Sequence, residues 1–333
     1  MRKRNKFVVG ILGGLILFGS FLYGIFFLKN VQKIWTDTNT VNKKKVYLIT
    51  KGKDSNFWKD VYSGARAACT EYNFELFYVA PENEEDYEKQ NELIYQAIED
   101  DADAIIISAI DYEKNVPAID EAANQGIKII NIDSEVNSEK RCCYIGTDNF
   151  KAGQLAGEAV NAKKGNKAKV GIVGFMQSTQ NGKSREEGLM DVLCKSEKKE
   201  LVTAIHVPSS IEKTKEGTKK MLQKNPEINC VVALNEILSV GVGNAIEELG
   251  LSEQVDVIVF DNNVQSVSML ETGCVDALVV QVPYTIGYLG VENVFYLLNG
   301  KTLNQETIDT ICKVITQEDM YTLENQRLLF GLK

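Results

Sequence analysis

Four hydrogen-bonding side chains each stand at the end of an apolar run. Asp133 follows Ile127–Ile132, Asn235 follows Asn229–Leu234, Asp261 follows Val255–Phe260, and Gln281 follows Ala277–Val280. Carboxylates and amides exchange hydrogen bonds with hydroxyl groups, so such a set brought together suits a small polyhydroxylated ligand. Taken singly, Asp or Asn after a strand is also a helix N-cap, and the two roles compete for the same positions. Gln281 is a poor cap, which favours the set over its members. Phe57 and Trp58 follow Asp54-Ser55-Asn56. Aromatic planes stack on the apolar C–H faces of a sugar ring, while core packing is the plainer role for each. Arg185, in Gln180-Asn181-Gly182-Lys183-Ser184-Arg185, carries a fork of donors fit for a cleft, or stands solvated on a surface. Removing Asp261, Arg185 or Trp58 should weaken binding and leave the ligand-free fold nearly as stable, because water reaches an open cleft.

Catalytic chemistry is poorly represented. The one histidine, His206, lies inside an apolar run, and neither HExxH nor GxSxG occurs. A hydrolase built on Asp133 and Asp261 as paired carboxylates is the remaining enzymatic alternative. No motif calls for a metal or cofactor. Seven scattered cysteines without a CxxC pair fit buried free thiols better than a disulfide framework.

The elements that must position these residues alternate. Short β-rich runs at 45–50, 74–80, 104–109, 127–132, 142–145, 168–174, 201–207, 229–234, 255–260 and 277–281 are separated by segments of helical character. This is the pattern of parallel sheets with crossover helices, in which ligands bind at the carboxyl ends of the strands. Ala-Ile-Ile-Ile and Val-Ile-Val-Phe read as strands buried on both faces. Ten strands divide naturally into two doubly wound sheets; a TIM barrel would need eight equal units. Gly250, Gly273 and Gly300 stand where helices need a left-handed terminal residue.

Phe7–Leu28 holds no charged residue and follows Arg2, Lys3, Arg4 and Lys6. About 20 apolar residues span roughly 30 Å of hydrocarbon, so the run is expected to be a transmembrane helix with a cytoplasmic N-terminus. It is longer than a signal-peptide core and lacks a small-x-small site, which favours an uncleaved anchor over a cleaved segment. Residues 29–44 are polar and read as a stalk. The first 45 residues hold nine basic side chains and one acidic; the chain totals are 37 and 46, leaving 28 and 45 beyond them, a net of −17. So acidic a domain excludes nucleic acid as a partner.

In this setting the chain resembles the type I periplasmic binding proteins of the ribose- and galactose-binding branch, whose fold is shared with LacI-type effector domains. The likeness runs from about Lys45 to the C-terminus. It is carried by Tyr144-Ile-Gly-Thr-Asp-Asn149, Ser184-Arg-Glu-Glu-Gly188, Val259-Phe-Asp261 and Val280-Gln-Val-Pro-Tyr-Thr-Ile-Gly287. The resemblance implies two Rossmann-like lobes joined by a hinge of three crossings, near Thr147–Asn149, Gln281–Tyr284 and Asp309–Cys312. One lobe would hold 45–147 and 282–310, the other 148–281 and 311–333. It also implies that Phe57 and Trp58 stack on a sugar ring while Asp133, Arg185, Asn235, Asp261 and Gln281 meet its hydroxyls. Three positions depart: Ser55 replaces an Asn, Ser134 an Arg within the pocket, and Ser209 an aromatic. The implied function is extracytoplasmic binding of a monosaccharide or polyol for an ABC permease, from a single-pass anchor in the cell membrane. The alternative is a tethered sensor presenting occupancy to a histidine kinase or chemoreceptor. A LacI-type repressor is excluded, because a membrane span stands where its DNA-binding helices would be.

Overall fold

A computed structural model describes residues 23–29, 43–164, 167–195 and 200–330. The chain forms two compact units, Met1–Lys43 and Lys44–Lys333. In the first, residues 23–29 are helical; the rest of the expected span Phe7–Leu28, and nearly all of the stalk, lie outside the described residues. Among the described residues no helix is long and apolar enough to cross a membrane.

The second unit is built on two six-stranded sheets. β1 (Lys45–Ile49), β2 (Glu75–Val79), β3 (Ala104–Ile107), β4 (Lys128–Ile132), β5 (Cys143–Thr147) and β11 (Thr307–Thr310) form the first, in the order β11-β5-β4-β3-β1-β2. β6 (Lys169–Gly174), β7 (Glu200–His206), β8 (Cys230–Ala233), β9 (Asp256–Phe260), β10 (Ala277–Val280) and β12 (Lys313–Thr316) form the second, in the order β12-β10-β9-β8-β6-β7. All pairings are parallel except β10 with β12. Helices cover both faces, so central strands are apolar throughout: Ile105, Ile106 and Ile107 are each fully buried. Two open sheets, rather than one closed ring, rule out the barrel.

The chain passes between sheets three times. β5 leads into α4 (Asn149–Lys164), which packs on the second sheet; β10 leads into α9 (Pro283–Leu298), which packs on α1 (Asn56–Glu71); and β11 leads into β12. Two glycine pairs set the closest helix crossings. A Cβ on Gly153 of α4 would stand 2.0 Å from the Arg185 carbonyl oxygen, and one on Gly188 of α5 (Gln180–Cys194) 1.9 Å from that of Phe150. Gly64 and Gly287 repeat the arrangement between α1 and α9, at 2.0 Å from the Tyr284 oxygen and 1.9 Å from that of Val61. Gly250 and Gly273 end their helices at φ 66° and 79°, and Gly300 follows its helix at φ 74°, as expected.

Three elements were not expected: β11, β12 and α10 (Leu323–Phe330). Thr-Ile-Asp-Thr alternates exposed and half-buried residues, and in Lys313–Thr316 only Ile315 is buried. Neither has the apolar run that reveals a central strand, because each is an edge strand.

Candidate functional site

The carboxyl ends of the two sheets face one another, and a cavity of about 380 Å³, mouth included, lies between them. Phe57, Trp58, Asp133, Arg185, Asn235, Asp261 and Gln281 all line it. Ser134 does not line the cavity; it is fully buried, and its backbone carbonyl accepts from the Asn131 side chain. A hydroxyl is too short to stand in for the Arg whose place it takes.

Asp133 and Asp261 occupy matching positions after β4 and β9, and both have left-handed backbone, φ 56° and 69°. Non-glycine residues held there cluster at functional sites, and Asp tolerates the region better than most. That geometry settles the competition with capping: neither is an N-cap. Asn263 caps α8 (Val264–Thr272) instead, accepting from the Ser266 N–H. The Asp133 carboxylate accepts from Ser108 Oγ at 2.8 Å and from Asn181 Nδ2 at 3.2 Å, and pairs with Lys51 Nζ at 3.3 Å. Asn235 does both jobs. It caps α7 (Glu236–Leu249) by accepting from the Leu238 N–H at 2.8 Å, and it lines the cavity.

Arg185 is not the water-solvated group expected in an open cleft. Arg185 is 2% exposed; its guanidinium donates to Asn149 Oδ1 (2.8 Å), the Leu234 carbonyl (2.8 Å) and Gln281 Oε1 (3.1 Å), and lies 4.7 Å from the Phe260 ring centroid. These partners all belong to the second sheet and its helices or to the crossing after β10. Gln281 Oε1 also accepts from Thr147 Oγ1 at 2.7 Å, and Gln281 Nε2 donates to Asp261 at 2.7 Å. The network joins two of the three crossings to the cavity floor.

Phe57 and Trp58 meet edge to face, centroids 4.9 Å apart, and Trp58 Nε1 donates to Glu84 Oε1 at 2.7 Å. Lys51, Glu84, Phe175, Asn181 and Glu236 also line the cavity and were not anticipated. Phe175 and Glu236 stand one and three residues past β6 and β8, and Lys51 two past β1. The end-of-strand rule, applied to every strand rather than to the conspicuous ones, points to all three. His206 lies apart, on edge strand β7 beside Glu186 Oε2 at 2.7 Å. All seven cysteines are free.

Burial raises the carboxyls of Glu236, Asp261 and Glu84. Desolvation, and then the charge of Asp261, push Glu236 up to about 7, although the N–H groups of Phe57 and Asn56 pull the other way. Desolvation also raises Asp261, opposed by Arg185 and Gln281, and raises Glu84, opposed by Lys51 and Trp58. The arrangement offers acceptors, donors and aromatic faces; the one histidine of the chain is not among its lining residues.

A family model described as periplasmic binding protein domain matches residues 46–302. The D-ribose/D-allose-binding protein of Pseudomonas aeruginosa is 27% identical over 288 residues, covering 83% of this chain and 90% of that one. A sugar transporter structure from Clostridium phytofermentans is 34% identical, with a TM-score of 0.76, covering 82% of this chain and 99% of that one. A carbohydrate transporter solute binding protein from Agrobacterium radiobacter, solved with D-arabinose, is 26% identical, with a TM-score of 0.84, covering 87% and 100%. With one domain model spanning most of its length and two lobes enclosing one polar cavity, the chain belongs to the periplasmic binding protein family.

Proposed function

We propose that this chain is an extracytoplasmic solute-binding protein that takes a monosaccharide or polyol into the cleft and delivers it to an ABC permease. The observation that carries the reading is the convergence of Asp133, Asp261, Arg185, Asn235 and Gln281 with Phe57 and Trp58 on one small cavity. Every hydroxyl taken from water needs a partner, and this cavity has partners on both walls. The relatives named for ribose and allose, and the arabinose complex, support a sugar of pentose or hexose size. Ser134 and Ser209, where the ribose-binding branch carries Arg and an aromatic, argue against an identical ligand set. The lobes are read as 45–147 with 282–310 and 148–281 with 311–333, swinging about the three crossings. Phe7–Leu28 is read as the anchor, on its charge-free length and basic flank.

A thermal-shift panel of D-ribose, D-allose, D-arabinose and myo-inositol tests the ligand class. A ligand at 100 times its dissociation constant adds about 2.7 kcal/mol to folding stability. Absence of any shift across pentoses, hexoses and polyols would sink the sugar reading. Recovery of secreted protein starting near residue 20 would sink the anchor.

A further inference from the structure

Two carboxylates reach across the cleft in opposite directions. Glu236, the first residue of α7 in the second lobe, accepts from the backbone N–H groups of Asn56 (2.9 Å) and Phe57 (2.7 Å). These are the first two residues of α1, in the first lobe. Glu85, in the first lobe between β2 and α2 (Tyr87–Glu99), accepts from the Ser209 N–H at 2.8 Å. Ser209 stands just ahead of Ser210, the N-cap of α6 (Ile211–Lys224) in the second lobe. Each lobe thus supplies one carboxylate to the N-terminal end of a helix in the other.

The N–H groups involved are ready for this. First-turn amides have no partner inside their own helix. In α1 the Ser55 side chain takes the Trp58 N–H, leaving those of Asn56 and Phe57 to Glu236. The helix dipole strengthens such bonds to an acceptor oxygen. Neither contact survives separation of the lobes, since the partners lie 180, 179 and 124 residues apart and on opposite sheets. Glu236 also lines the cavity, but Glu85 does not.

We propose that Glu236 and Glu85 form a reciprocal clamp between the lobes, which sets the open–closed equilibrium and so the affinity of the cleft without Glu85 touching the ligand. This rests on the reading that the lobes swing about the three crossings. Breaking either half should loosen the other, because both open in one movement.

Backbone hydrogen exchange on the full chain, with no sugar present, tests the clamp separately from the sugar reading. In Glu85→Ala, the amides of Asn56 and Phe57 should exchange about tenfold faster or more, although Glu85 does not bond to them. In Glu236→Ala, the Ser209 amide should respond likewise. Amides of β3 and β8 serve as a check that the fold is intact. Should Glu236→Ala disturb those strands, Glu85→Ala, a half-buried residue outside the cavity, decides alone. Faster exchange at a substituted residue's own partner only, or at neither, would overturn the clamp and leave the sugar reading standing.

Discussion

Asp261 and Arg185 were expected to behave alike on substitution, and their surroundings separate them. Asp261 sits at φ 69°, where Asn is also tolerated, and its carboxylate accepts from the Gln281 amide and the Glu236 backbone N–H. Asp261→Asn should therefore hold its fold while weakening sugar binding by about tenfold to a hundredfold, from one acceptor lost to a ligand hydroxyl. Titration calorimetry on the ligand found by thermal shift reads the first, and a melting curve without ligand the second. Arg185 answers to Asn149, Leu234 and Gln281 inside the protein. Arg185→Ala should lower stability by about 3–5 kcal/mol as well as affinity, since it orphans buried partners. An unchanged denaturant midpoint would show that the network bears no weight in the ligand-free fold. Asp133, Asn235, Asp261 and Gln281 could be picked out because polar types stand out after apolar runs. Lys51 and Glu236 stand past strand ends as well, but a charged residue there reads equally well as a surface group.

Among elements, the glycine-paired helices decide where Arg185 stands. α4 and α5 cross so closely that Gly188→Ala must push its new Cβ off the Phe150 carbonyl, 1.9 Å away. Overpacking of this kind typically destabilises by about 1–3 kcal/mol. Because α5 carries Arg185 and Asn181, affinity should fall along with the melting temperature. A variant that melts lower yet binds normally would separate helix packing from the site. Ten strands and most helices were legible as alternating apolar and helical runs. The edge strands at the last crossing were not, since Thr307–Thr310 has no apolar run and is recognised only by the partner β5 beside it.

At the scale of the whole molecule, the proposed swing of the lobes would couple closure to proton binding. Small-angle scattering should show contraction when the sugar is added, and an unchanged profile at saturation would mean a rigid unit. On the proposed hinge, closing buries Glu236, and desolvation lifts its carboxyl from its ordinary 4.5 to about 7. A group that binds its proton more tightly in the closed form favours closure below 4.5 and gives that up as pH rises through 7. Glu84 and Asp261 are raised in the same direction by the same burial. Sugar-free protein should thus be more compact at about pH 5.5 than at about pH 8. Glu236→Gln, fixed in the neutral state with one acceptor oxygen left for the clamp, should flatten the trend. A stronger pH dependence in that variant would contradict the assignment.

The fold class was legible along the chain, because buried parallel strands and their crossover helices impose hydrophobic patterns that need no partner to be read. So were the strand ends that carry polar side chains, which mark where a cleft would lie. What those side chains touch is set by contacts between distant parts of the folded chain. Whether Asn235 lines the cavity as well as capping its helix, whether Arg185 faces water, and whether Ser134 reaches the cavity all depend on atoms far away in the chain. The pairing of Glu236 with Asn56 and Phe57 spans about 180 residues. No local pattern records such a contact, since it arises from two helix ends brought face to face by separate sheets.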